Sequence, residues 1–345
     1  MMMKAAVIEK VGDLVVRDVP KPQVGDYDVL CELLYGATCT GTDQHLIGGR
    51  FPWPVTYPTI LGHESVGRAV ELGSKVRHFR VGDVISRVGT PAGPDGSYAV
   101  NWGGFAEFGI ARDHWAMRAD GLPPSAWRSY RVNQVIPPSI DPRAATMIIT
   151  WRETLSYFNR MGAQRGDSVL VVGSGGNGLA FTVHASNAGA SQVVVVGSDS
   201  RRAAGQAAGA HAYVDYRAAD LNEQLSALQP GGFDFIIDSV GQSDSADNVL
   251  PFLRAGGIVG IYGVDDYSAC RIRPHRARGT FTIFSGGYDE AETHHQVVEM
   301  ILDGRLDARL WLDMDHVYPL DQIGAAFDAV RDRLFVKALV KLSNG

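Results

Sequence analysis

The strand-like run Val169-Leu170-Val171-Val172 passes directly into Gly173-Ser174-Gly175-Gly176-Asn177-Gly178 and then into the helical pattern Asn177–Ala188. No other stretch of this chain constrains its fold as tightly. The first glycine permits a tight turn, the second lets backbone approach a pyrophosphate, and the third lets helix pack against strand. The helix then offers free N–H groups and the positive end of its dipole to phosphate. Strands at Ser168–Val172, Gln192–Val196, Tyr213–Val214, Phe233–Asp238 and Ile258–Tyr262 alternate with helices at Asn177–Ala188, Arg201–Ala208 and Leu221–Leu228. That alternation predicts βαβ units and a parallel sheet. In such a setting the loop is a dinucleotide cradle rather than an ordinary Gly-rich turn, with Gly173, Gly175, Gly176, Asn177 and Gly178 as its binding residues.

The end of the next strand speaks to the nucleotide. An acid about 20 residues on would bind the ribose 2′-hydroxyl of NAD. Here Gly197 stands 19 residues after Gly178, followed by Ser198, Asp199, Ser200, Arg201 and Arg202. Without a carboxylate at 197, a 2′-phosphate meets no repulsion, and Ser198, Arg201 and Arg202 are suited to bind it. The expectation is NADP ahead of NAD, although Asp199 stands close enough in sequence to serve a ribose.

The first 115 residues have a different texture. Short strands at Lys4–Glu9, Leu14–Val19, Val29–Leu34, Ser65–Leu72, Val84–Arg87 and Ala106–Ile110 are joined by Gly/Pro turns, which suggests a partly open β-barrel or sandwich. Ala119–Asn133 is polar and Pro-containing and reads as a surface excursion. Ala144–Met161 reads as helix, and the tail as strands Val317–Pro319 and Ala338–Leu342 around a helix Ile323–Val330. At 345 residues, two domains are the natural division.

Thiol, imidazole and carboxylate cluster in this first part: Cys39-Thr40-Gly41-Thr42-Asp43-Gln44-His45, then Gly62-His63-Glu64, with Glu153 further on. Together they are a ligand set suited to catalytic zinc. Taken singly, a buried cysteine or a hydrogen-bonded core histidine explains each as well.

At this point the chain resembles the medium-chain dehydrogenase/reductase superfamily, in its zinc-dependent alcohol, sorbitol and glucose dehydrogenase branch. The resemblance covers nearly the whole length. It is carried by Gly62-His63-Glu64, Gly82-Asp83, Gly103-Gly104-Phe105-Ala106-Glu107, Glu153-Thr154-Leu155, the Gly173–Gly178 loop, Phe233–Asp238, Leu253–Gly257 and Pro319-Leu320. It implies an α/β protein: a GroES-like β-barrel catalytic domain over residues 1–155, completed by 295–345, and a Rossmann doubly wound parallel-sheet cofactor domain over 156–294. It implies zinc ligands at Cys39, His63 and Glu153, and at Glu64 either a ligand or an acid close to the metal. Thr42 and His45 match a proton relay, and Asp43 a carboxylate that orients the zinc histidine. Lys337 matches a basic residue at the cofactor pyrophosphate. The family cysteine usually directly precedes the Gly-Thr-Asp element, whereas here Thr40 intervenes. Cys39 with a one-residue insertion is the expected ligand, and Thr40 is the alternative occupant of that slot. Between Ser86 and Asp113 there is no cysteine, so a second, structural zinc is not expected.

The expected activity is hydride transfer between NADP(H), or NAD(H), and an alcohol, polyol or sugar with its matching carbonyl. The alternatives are a zinc-independent NADPH-linked enone or quinone reductase of the same superfamily and a non-catalytic dinucleotide-binding protein. Phe51, Trp53, Tyr57, Trp102, Trp115 and Trp151 lie near the expected site and favour an apolar or ring-shaped substrate where they are not simply core. A net charge of −6 without a basic stripe argues against nucleic acid and anionic membrane as partners. Cys31, Cys39 and Cys270 form no CxxC pair and no disulfide framework, and the start of the chain reads as a strand rather than a leader. A reducing cytoplasm and a homodimer or homotetramer are the corresponding expectations.

Overall fold

The structure, a computed structural model, describes residues 1–39 and 41–343. Two compact units divide it: Met1–Ile149 with His294–Gly345, and Thr150–Thr293. The sequence expectation placed the boundary after residue 155; the division instead falls in the first turn of the helix Ile148–Met161.

The second unit is a six-stranded parallel sheet. Its spatial order is Ala212–Asp215, Gln192–Gly197, Ser168–Val172, Phe233–Asp238, Leu253–Ile261, Thr282–Phe284. Numbered along the chain, that order is 3-2-1-4-5-6, the doubly wound Rossmann order. Ser168–Val172 is buried at every position, as a central strand covered on both faces must be, so it reads as a continuous apolar run without alternation. The chain reverses direction across the sheet between this strand and Phe233–Asp238, and the glycine loop opens at that switch point.

The first unit holds two mainly antiparallel sheets. One runs Asp13–Pro20, Met2–Lys10, Thr59–Ile60, Ala99–Val100. The other runs Val317–Pro319, Leu339–Lys341, Asp28–Ala37, Glu64–Leu72, Val84–Ser86, Val135–Ile136, with Phe108–Arg112 also paired to Asp28–Ala37. Val7, Ile8, Leu33, Ile60, Leu61 and Phe105 are fully buried in one core. Each such side chain contributes roughly 1.5–3 kcal/mol by leaving water. This is the GroES-like unit. Register across Asp28–Ala37 positions the site: Ala37 pairs with Glu64 on one side and with Leu339 on the other. Segments far apart in sequence are thereby brought to the same strand end.

One local expectation changes. Strand Ala106–Ile110 is displaced to Phe108–Arg112, because Ala106 bridges to Ala5 and the Phe105 carbonyl accepts from Ala6 N. The excursion 119–133 runs over the surface, exposed or half-buried at all but its last residue. It forms a helix Pro124–Trp127 with proline in its first turn, then a 3-10 turn Arg128–Val132. Trp127 Nε1 donates to Leu122 O at 3.1 Å, and Arg112 donates to the Tyr130 hydroxyl at 2.8 Å. Among the described residues, no helix is long and apolar enough to cross a membrane.

Candidate active site

His63 is presented by a backbone that only glycine permits. Gly62 has φ +98°, and a Cβ there would stand 2.5 Å from the Phe105 ring and 2.8 Å from Phe105 N. His63 follows at the entry to strand Glu64–Leu72, and Cys39 follows the end of strand Asp28–Ala37. Sγ of Cys39, a ring nitrogen of His63 and a carboxylate oxygen of Glu64 all lie within 4.8 Å of one another, and all three residues are buried. Ligand atoms around tetrahedral zinc, with bonds of about 2.0–2.3 Å, stand on the order of 3.5 Å apart. The Cys/His/carboxylate set therefore fits zinc in both chemistry and spacing. Thr40, the other residue considered for the cysteine slot, lies outside the described residues.

Asp43, Thr42 and His45 share one short helix, Thr42–Ile47. Asp43 is fully buried and faces two ways: Oδ2 accepts from Cys39 N at 2.8 Å, and Oδ1 stands 3.5 Å from His63 Nδ1. His63 Nε2 is on the side of Glu64, 3.7 Å from Oε1. A metal-ligating histidine takes this arrangement, with one nitrogen towards a carboxylate and the other towards the ion. Full burial works against charge on His63, yet Cys39 and Asp43 hold its pKa well above the ordinary histidine value. The pocket is thus strongly attractive to positive charge.

Part of that negative charge is answered by a residue from the far end of the chain. Lys337 Nζ, buried, donates to Glu64 Oε1 at 2.6 Å and to Oε2 at 2.7 Å, and to Thr38 O at 3.3 Å. Burial opposes its charge, but Glu64 and then Cys39 keep its pKa above the usual lysine value. Lys337 holds the acid beside His63, a contact that the resemblance to the family did not supply. The two positions are 273 residues apart, and no local pattern could have paired them.

Arg87, itself at φ +60°, donates to the His63 carbonyl at 2.7 Å. Trp102, at φ +70°, has its ring 5.2 Å from that of His63. Two bulky residues held in the left-handed region beside one histidine mark a backbone shaped for function. Phe51 packs on Trp53 and Trp102 at 5.1 and 6.1 Å, and Trp53 and Trp102 remain 50% and 41% exposed. The other aromatic residues serve the core: Tyr57 donates to Leu46 O, Trp115 stacks on His114, and Trp151 is fully buried.

In the second unit the loop has the form its sequence predicts. Gly173 has φ +103°, and a Cβ at Gly178 would stand 2.0 Å from Gly173 O. A Cβ at Gly175 would meet nothing within 4 Å, so this glycine faces open space at the N-cap of the helix Gly176–Ala188. The cradle fits a pyrophosphate. Glu153, on the helix Ile148–Met161, belongs to this unit, and Tyr262 donates to its Oε2 at 3.3 Å. At the nucleotide corner, Arg202 bonds Asp199 Oδ1 at 2.8 Å and Tyr213 O at 2.6 Å.

A doubly wound sheet with a glycine cradle and a GroES-like unit with a Cys–His–Glu cluster define a dinucleotide-linked oxidoreductase. Family models for the alcohol dehydrogenase GroES-like domain and the zinc-binding dehydrogenase match residues 25–121 and 176–301. An alcohol dehydrogenase of Cupriavidus necator is 28% identical, over 95% of this chain and 94% of its own length. The L-galactonate-5-dehydrogenase of Escherichia coli is 26% identical over 94% of each. A structure described as that of a zinc-binding dehydrogenase from Sinorhizobium meliloti 1021 bound to NADP superposes with a TM-score of 0.79, at 25% identity over 99% of both chains. The chain belongs to the zinc-dependent medium-chain dehydrogenase superfamily.

Proposed function

We propose that this protein is a zinc-dependent dehydrogenase that moves hydride between NADP(H) and a small alcohol, polyol or sugar and its carbonyl partner. The observation that carries the reading is the convergence of Cys39, His63 and Glu64, three zinc-ligand types, in one buried pocket. Zinc held there supplies Lewis acidity to the substrate oxygen, and the nicotinamide supplies the hydride carrier. The remaining work is the chain's own. Asp43 orients His63 and fixes the Cys39 backbone. The Thr42 hydroxyl accepts the substrate proton and relays it towards His45. Gly173–Gly178 hold the pyrophosphate, and the bare corner at Gly197 favours NADP, as does the NADP-bound relative.

The aromatic flank of Phe51, Trp53 and Trp102 beside His63 supports a substrate with an apolar or ring-shaped body. The edge strand Thr282–Phe284, with Ile283 exposed, suits pairing between copies in a dimer or tetramer. Free thiols at Cys31, Cys39 and Cys270 suit a reducing cytoplasm.

The test is NADP-linked oxidation of an alcohol, polyol and sugar panel by the zinc-loaded protein and by Thr42→Val. The wild type should form NADPH with at least one class of alcohol. Thr42→Val should lower kcat about 10²-fold, the lower end for loss of a proton-transfer group, with KM little changed. Turnover on no alcohol, or a variant as fast as the wild type, contradicts the relay.

A further inference from the structure

The bare corner at Gly197 is enforced by its neighbours. A Cβ at Gly197 would stand 2.3 Å from Tyr213 Oη, 2.5 Å from Ser174 Oγ and 2.6 Å from Ser174 Cβ. Any acid placed here meets two side chains before its carboxylate begins. Tyr213 lies on the adjacent strand, where Gly197 pairs with Asp215, and it is buried. It has little room to yield. A Cβ at Gly205 would stand 2.6 Å from two of its ring carbons, and the Arg202 guanidinium lies 5.1 Å from its ring centroid. Arg202 also bonds the Tyr213 carbonyl.

The same two side chains hold the next residue. Tyr213 Oη donates to Ser198 O at 2.7 Å, and Ser198 N donates to Ser174 Oγ at 3.2 Å. Ser198 is therefore pinned through both its backbone polar groups, and its hydroxyl is 3.0 Å from that of Ser200. The nearby acid Asp199 is drawn to Arg202, which moderates its repulsion of an anion. Arg202 thus guards Tyr213 and pairs with Asp199.

We propose that Tyr213 and Ser174 are the specificity-determining residues for the cofactor's 2′ substituent. They fill the volume a hydroxyl-binding carboxylate would need and fix Ser198 for a 2′-phosphate. Discrimination here is built partly by exclusion, through a clash against the residue that would serve the other cofactor. The proposal rests on the reading of this unit as an NADP site and adds the residues that impose the choice.

The experiment is binding of NADPH and NADH followed by nucleotide fluorescence, with no substrate present. It uses the wild type, Tyr213→Phe, Ser174→Ala, Gly197→Asp and the triple variant Gly197→Asp/Tyr213→Phe/Ser174→Gly. Wild type should bind NADPH more tightly. Tyr213→Phe, which keeps the ring, should weaken NADPH about tenfold, the value of one well-placed hydrogen bond, and leave NADH within about twofold. Ser174→Ala should act in the same direction. Gly197→Asp alone should bind both poorly, and the triple variant should recover NADH. A wild type that prefers NADH overturns the NADP reading itself. A wild type that prefers NADPH overturns the proposal alone if Tyr213→Phe and Ser174→Ala leave the ratio unmoved, or if Gly197→Asp by itself binds NADH tightly.

Discussion

His63→Ala should lose bound zinc and dehydrogenase activity together, with kcat/KM lower by on the order of 10³-fold or more. The magnitude follows from the several kcal/mol that a metal supplies to a charge-developing oxygen. His63 is the proposed ligand, and its Nδ1 faces Asp43 Oδ1 at 3.5 Å, so its removal also takes the neighbour from one oxygen of a buried carboxylate, the other being held by Cys39 N. Cys39→Ser provides the companion variant, since it keeps volume and removes the soft ligand. Both variants should fold, as judged by circular dichroism, and both should fall in metal content and rate by parallel factors. Full activity in His63→Ala, with or without zinc, would sink the metal mechanism.

The second large effect belongs to Lys337→Met. Removing one partner of a buried ion pair leaves an uncompensated charge and costs about 3–5 kcal/mol. Here the stranded group is Glu64, whose two oxygens both accept from Lys337 in the folded protein. The urea midpoint of the metal-free protein should therefore fall, and Lys337→Met/Glu64→Gln should recover much of the loss. Zinc should shift the midpoint of Lys337→Met more than that of the wild type, because the freed carboxylate gains a cation that binds only the folded state. A single variant as stable as wild type, or a double variant no better than the single, would show that this pair does not hold the site together.

These two effects also mark where sequence was informative and where it was not. The Gly173–Gly178 loop is local: strand, turn and helix follow one another, so pattern alone places it. His63 and Glu64 are adjacent, and Thr42, Asp43 and His45 fall on one short helix, so they could be named from residue type and resemblance. Lys337 was named, but its pairing with Glu64 was not foreseen. Its partner is chosen by register across strand Asp28–Ala37, which sets Glu64 on one side and Leu339 on the other, a pairing no linear pattern records. Tyr213 and Ser174 escaped notice for the same reason, since their role appears only when a side chain is built onto Gly197. In 119–133, polarity and proline marked a surface excursion but not its short helix, in which Pro124 sits in the first turn, where its missing N–H costs nothing. The aromatic residues show the converse limit. Six were equal candidates in sequence, and exposure separates only Trp53 and Trp102 from the core, with Phe51 half-buried between them and it.

The central claim is that Cys39, His63 and a carboxylate hold a catalytic zinc. Elemental analysis of protein purified without chelator tests it most directly. About one zinc per chain is the predicted result, as expected for a catalytic site without a four-cysteine structural site. No zinc, even after incubation with the metal, would contradict the account and turn attention to NADPH-linked reduction of enones and quinones.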